Sequence, residues 1–168
     1  DCDLRRGNLH RVFNIEEATG LSDFLLGDLS PGQLIRSTAF SRLSLVPAGR
    51  HVANPSELLG SKEFDRFLES ARKTFDVILL DSPPVLAVTD SIVLATKVKG
   101  VVLVVRMDRT HREAASDALS QLKAVGAGVL GVVVNDTPET GRYGYGSSYY
   151  RDYFGEEIDE VSFAEELK

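Results

Sequence analysis

The chain has 168 residues, 43% apolar and 26% charged, the mixture of one ordinary globular domain rather than a disordered tail. A formal charge of -6 argues against general nucleic-acid binding, which depends on basic clusters facing phosphates. Cys2 is the single cysteine, which excludes an internal disulfide, and no apolar run reaches the roughly 18–20 residues that cross a bilayer.

In chain order, Asp1-Cys2-Asp3-Leu4-Arg5-Arg6 opens abruptly, with no initiator methionine and no signal peptide, and is read as the middle of something longer. Gly20 to Gly27 predicts a short helix capped by Ser22 and stopped near Gly27. Leu43 to Pro47 predicts a brief strand ending in a turn. From Ser56 to Phe75, Leu58, Leu59, Phe64, Phe67, Leu68 and Ala71 recur at helical spacing. Gly60-Ser61 divides that stretch into a short and a longer helix, with Ser61 as the cap of the second.

Val77 to Asp81, Val101 to Val105 and Val129 to Asn135 are short, branched apolar runs that read as buried strands. Arg112 to Val125 between the last two predicts an amphipathic helix. Continuous apolar strands separated by such helices indicate an α/β fold, a mostly parallel sheet covered on both faces. The expected organisation is a folded α/β portion over residues 1–140 and a flexible, tyrosine-rich and acidic tail over 141–168. Every tyrosine of the chain, Tyr143, Tyr145, Tyr149, Tyr150 and Tyr153, falls in that tail.

Parallel sheets bind ligands beyond the carboxyl ends of their strands. Asp81 sits at such an end, before Ser82-Pro83-Pro84, where it can hold a hydrated magnesium ion or simply cap the next turn. Asp1 and Asp3, two apart in extended backbone, point to one side with Arg5 following in the same alternation. Two carboxylates there could divide metal binding from proton acceptance. Arg5 or Arg6 could neutralise phosphate charge or hold the acids. A charged, frayed terminus is the bland alternative.

Asp1-Cys2-Asp3-Leu4-Arg5 resembles the second Walker motif, A-prime, of the bacterial tyrosine autokinases of exopolysaccharide and capsule production. Val77-Ile78-Leu79-Leu80-Asp81-Ser82-Pro83-Pro84 resembles their Walker B motif. The resemblance runs on through Leu45 to Gly49, Asn54 to Leu59, Val85 to Asp90, Gly100 to Arg106 and Leu130 to Asn135, into a tyrosine cluster where that family carries its phosphorylation sites. It implies a P-loop NTPase-like fold of the ParA/MinD type. By that resemblance Asp1 would be the base toward tyrosine, and Asp3 and Asp81 would serve Mg2+ and ATP. Arg5 would belong to the catalytic motif. Asn135 would contact adenine, and Asp90 would touch the nucleotide or organise its loop. The five tyrosines would be phosphoacceptors.

The sequence also departs from that pattern. No G-x-x-x-x-G-K-[ST] occurs, so the phosphate cradle, its lysine and its magnesium-binding hydroxyl are absent, and the fold is expected to be N-terminally incomplete. Gly7 stands where the family usually has proline, and His51-Val52-Ala53 replaces a more proline-rich turn. The implied activity is ATP-dependent autophosphorylation, with the 168-residue stretch inactive alone. Self-association, a membrane-bound polysaccharide co-polymerase or activator (fused or separate) and a cytoplasmic position at the inner membrane face are expected, with no nucleic acid. The alternatives are a ParA/MinD-like ATPase switch, a regulatory module lacking the loop, and a tail that binds partners through ring area alone.

Overall fold

Ser61 starts the helix that organises the core. Its backbone is extended and its hydroxyl accepts the Phe64 N–H at 3.2 Å, satisfying one of the donors a helix leaves unpaired at its start. Glu63 and Asp65 lie in the first turn and Arg72 and Lys73 in the last, each sign where the helix dipole favours it. Phe64, Leu68 and Ala71 form the buried stripe.

The computed structural model describes residues 1–16 and 19–137. The elements in chain order are α1 (Leu9–Val12), α2 (Leu21–Leu25), α3 (Pro31–Leu34), β1 (Arg36–Ser37), β2 (Ser44–Leu45), α4 (Pro55–Gly60), α5 (Lys62–Thr74), α6 (Asp90–Ala95), β3 (Val101–Arg106), α7 (Arg112–Ala124) and β4 (Val129–Asn135). The chain divides into two compact units, Asp1–Val134 and Asn135–Lys168. All the elements but the last residue of β4 belong to the first unit, and of the second only residues 135–137 are described. The tyrosine-rich segment lies outside the described residues. No helix among the described residues is long and apolar enough to cross a membrane.

The α/β character holds: β3 and β4 form a parallel pair joined through α7, and β1 and β2 form a small antiparallel ladder with Arg36 opposite Leu45. Two expectations are corrected. Val77–Leu80 takes no regular secondary structure and belongs to no ladder, because no strand among the described residues lies hydrogen-bonded along either of its edges. Val77 is 73% and Leu79 85% exposed. The strands are also not covered on both faces. Leu103 is buried in β3, whereas Val102, Val104 and Leu130 are open to solvent.

The core lies on the helical side, where Cys2, Leu4, Leu21, Leu59, Phe64 and Leu94 pack together. Two of these come from the chain's first four residues, so the segment carrying Asp1 and Asp3 is built into the core. A third correction concerns α2, whose cap is Gly20 rather than Ser22. Gly20 donates to the Asp23 carboxylate at 2.8 Å, and the Ser22 hydroxyl, inside the first turn, donates to the Arg50 carbonyl at 2.7 Å. Gly27, at φ 89°, ends α2 as expected.

Candidate active site

Cys2 and Leu4 are inserted in the core, and between and beside them the acidic side chains are held by backbone N–H groups. The Asp1 backbone nitrogen donates to the Val46 carbonyl and the Cys2 N–H to the Asp81 carbonyl, both at 2.8 Å. The first segment is therefore strapped between the Val46 turn and the end of the Val77–Leu80 segment. Asp1, itself buried, accepts the Asp3 N–H on Oδ1 at 3.2 Å and the Leu9 N–H on Oδ2 at 3.0 Å. Asp3 accepts the Arg5 and Arg6 N–H groups on Oδ1, at 3.1 and 2.9 Å. That side-chain cap folds residues 4–6 into a turn. Arg5 thus leaves the alternation expected of it.

Gly7 follows this turn at very close quarters. A Cβ there would stand 2.4 Å from the Ala48 Cβ, 2.9 Å from Asp1 Oδ2 and 2.9 Å from the Asp3 carbonyl oxygen. The absence of a side chain at position 7 lets the acidic loop close against Ala48. Sequence reasoning registers this glycine only as a looser substitute for proline.

Asp81 is exposed, and its carboxylate makes no hydrogen bond or ion pair among the described residues, so it does not cap the next turn. The chain beyond it is fixed: Pro83 is buried and its carbonyl accepts the Ser91 hydroxyl. Asp90, one residue earlier on α6, is fully buried. Arg5 grips it with two bonds, Nε to Oδ2 at 2.7 Å and Nη2 to Oδ1 at 3.1 Å, and the Ser56 hydroxyl of α4 donates to Oδ1. Ser56 is 3.0 Å from the Thr89 hydroxyl. Burial works to raise the Asp90 pKa, but the Arg5 and Ser56 hydrogen bonds outweigh it and hold the carboxyl below its usual range.

Ser56 and Ser91 escape a reading from sequence, since single serines near helix starts carry no signal of what they will face. Cys2 has no catalytic character, because burial pushes its thiol up to about 11. Asn135 ends β4, and its Oδ1 accepts the Asp136 N–H at 2.9 Å. The five tyrosines lie outside the described residues.

No cluster of three or more potential metal ligands occurs among the described residues. Magnesium does not need one, since it takes one or two carboxylates and completes its shell with water and phosphate oxygens. Among the described residues, Asp3 Oδ2 and both Asp81 oxygens carry no hydrogen bond of the kind that occupies Asp3 Oδ1, and these hard oxygen donors fit that ion.

No family model matches the chain. It is 38% identical over 136 residues to the tyrosine-protein kinase ptk of Acinetobacter johnsonii, covering 81% of this chain and 19% of ptk. It is 31% identical to the tyrosine-protein kinase YwqD of Bacillus subtilis, covering 92% of this chain and 65% of YwqD. The chain spans about a fifth of the length of the first curated relatives it matches. Among solved structures, the VpsO kinase domain superimposes with a TM-score of 0.78 at 32% identity, covering 82% of this chain and 68% of that one. The kinase domain of the Escherichia coli tyrosine kinase ETK gives 0.78 at 30% identity, covering 84% and 57%.

Proposed function

Because the chain belongs to the bacterial tyrosine-protein kinase family, we propose that it supplies the acidic half of an ATP-dependent tyrosine autokinase site. The observation that carries this reading is the Cys2 N–H bond to the Asp81 carbonyl at 2.8 Å, which ties the A-prime and Walker B segments side by side. The fold assigned to the whole domain is P-loop NTPase-like, of the ParA/MinD type. Residues 1–140 form part of the nucleotide-binding portion and 141–168 the substrate tail.

Each residue has a role in the proposed reaction. Asp3 and Asp81 would hold Mg2+, which would supply charge neutralisation on the ATP phosphates. Asp1 accepts the phenolic proton as a tyrosine oxygen attacks the γ-phosphorus and ADP departs with the electrons of the broken P–O bond. A phenol with a reference pKa near 10 needs such a base at neutral pH. The two N–H bonds to Asp1 orient it and leave each oxygen a second lone pair. Asn135 contacts the adenine. Tyr143, Tyr145, Tyr149, Tyr150 and Tyr153 are the acceptors, and a neighbouring copy presents them, so the kinase self-associates.

The phosphate cradle comes from a strand and loop that lie outside this sequence and pair with Val77–Leu80. The open edges of that segment and the exposure of Val77 and Leu79 support this. The 168 residues alone therefore bind ATP poorly and transfer no phosphate. In the cell the kinase works at the cytoplasmic membrane face with a polysaccharide co-polymerase or activator, fused or separate, and regulates capsule or exopolysaccharide export.

The test is intact-mass phosphate counting on the full-length protein with ATP and Mg2+, with sites mapped, beside an Asp81→Asn variant. Phosphates on Tyr143 to Tyr153, lost in the variant, support the kinase. Nucleotide turnover with no phosphate on the protein would overturn it in favour of an ATPase switch.

A further inference from the structure

The first turn of α6 touches both acid-bearing segments. Asp90 receives the Arg5 fork from the turn that Asp3 caps, at 2.7 and 3.1 Å, and the next residue, Ser91, donates to the Pro83 carbonyl two residues past Asp81. Ser56 brings the start of α4 into the same knot. A two-point guanidinium–carboxylate contact fixes orientation as well as distance, which a single bond cannot. Arg5 is held at both ends: its backbone N–H is on Asp3 and its side chain is on Asp90. Any shift of the Asp3 turn must therefore stretch one of these bonds.

We infer that Asp90 and Ser91 form a positioning clamp that sets the Asp3 turn and the Asp81 loop relative to each other. In this arrangement Arg5 serves the clamp rather than contacting phosphate. The inference deepens the kinase reading and rests on it for its consequence, the spacing of the two magnesium-binding carboxylates. Asp90 accordingly acts at a distance from the nucleotide. Its complete burial and its three hydrogen bonds leave no oxygen facing solvent.

The test compares full-length wild type with Arg5→Gln, Arg5→Lys, Ser91→Ala and Asp90→Asn. Two readouts are taken: amide hydrogen exchange without nucleotide, and the Mg2+ dependence of phosphate transfer. Arg5→Gln is expected to speed exchange at residues 4–9 several-fold while α5 stays protected. It should also lower transfer about 10- to 100-fold, as loss of a supporting contact does at metal sites, and raise the Mg2+ concentration for half-maximal rate. Arg5→Lys should fall between the two, because one bond survives. Ser91→Ala should speed exchange at Asp81, Ser82 and Val85 alone, the amides that flank Pro83 and Pro84.

A fall in transfer with exchange and Mg2+ dependence unchanged would overturn the clamp and make Arg5 a phosphate contact. Loosening spread equally through α5 would also overturn it, as general destabilisation. Arg5→Lys keeps a cation against the buried Asp90 carboxylate, so it keeps the test readable even where Asp90→Asn or Arg5→Gln does not fold. If wild type takes up no phosphate, the kinase reading fails, and the exchange arm still decides the clamp.

Discussion

Gly7 and Asp1 approach so closely that a Cβ on Gly7 would lie 2.9 Å from Asp1 Oδ2, with the Ala48 Cβ nearer still at 2.4 Å. Neither neighbour is the free end of a long side chain. Asp1 is held by two backbone N–H groups, and the Ala48 methyl is buried. Gly7→Ala should therefore cost about 1–3 kcal/mol, as overpacking does in close-packed interiors. Denaturant unfolding would measure it. A variant as stable as wild type would show that the acidic loop yields easily.

Cys2 is expected to be inert. With the thiol buried and its pKa pushed up to about 11, almost no thiolate exists at neutral pH. Iodoacetamide should leave the native protein unlabelled on the time scale that labels the urea-unfolded chain. Fast labelling of the native protein would mean that the first segment opens readily from the core.

The core itself predicts a large contrast on one helix. Phe64 is fully buried at the centre of the cluster, so Phe64→Ala should cost about 3–5 kcal/mol. Ser61→Ala removes one capping bond to the Phe64 N–H and should cost about 1 kcal/mol. Equal losses on thermal or denaturant unfolding would contradict the assigned roles.

Asp90 gives the acid limb of stability its sign. Its folded-state pKa lies below the ordinary value, so the unfolded chain binds the proton first as pH falls. The stabilisation is whole above about pH 4, the unfolded range, and is lost as the pH drops through the lower folded value. Asp90→Asn should be less stable than wild type at neutral pH, and the gap should close in acid. A gap that stays constant from neutral pH down to about pH 3 would show that the ion pair contributes nothing.

The uncovered apolar surface predicts behaviour of the 168-residue chain. Val77, Leu79, Val102, Val104 and Leu130 all stand largely in water, more apolar surface than single scattered residues explain. The chain should bind a hydrophobic dye and associate as its concentration rises. Substituting Val77→Thr and Leu79→Thr together should weaken both effects. No dye binding by the unaltered chain would mean that these faces are covered in solution.

Local chemistry makes much of this legible in the sequence. The division of the helical stretch at Gly60-Ser61 and the Ser61 cap are readable, because a cap depends on groups three residues apart. So is the β3–α7–β4 run, because branched apolar pentamers and a helical stripe differ in period. The cap of α2 is misleading, because Ser22 looks like a cap in sequence. Only the fold reveals that its hydroxyl is taken by Arg50 and that Asp23 serves Gly20 instead. Asp1, Asp3 and Asp81 stand out by their spacing and their place after an apolar run, and the structure brings Asp1–Asp3 to the Asp81 backbone.

By itself, then, the sequence determined the α4–α5 break, the β3–α7–β4 run and the residues that stand out chemically, since these follow from neighbours along the chain, whereas α1, α3, β1 and α6 carried no such local signal. Tertiary structure alone decided which atoms those residues spend on each other. Arg5 reaches Asp90 across 85 positions and Ser56 reaches it across 34, and no local pattern encodes either meeting. The same holds for Val77–Leu80, whose composition predicts a strand that the structure does not form. Strand formation needs a hydrogen-bonding partner alongside, and that partner is a property of the assembled sheet rather than of the segment.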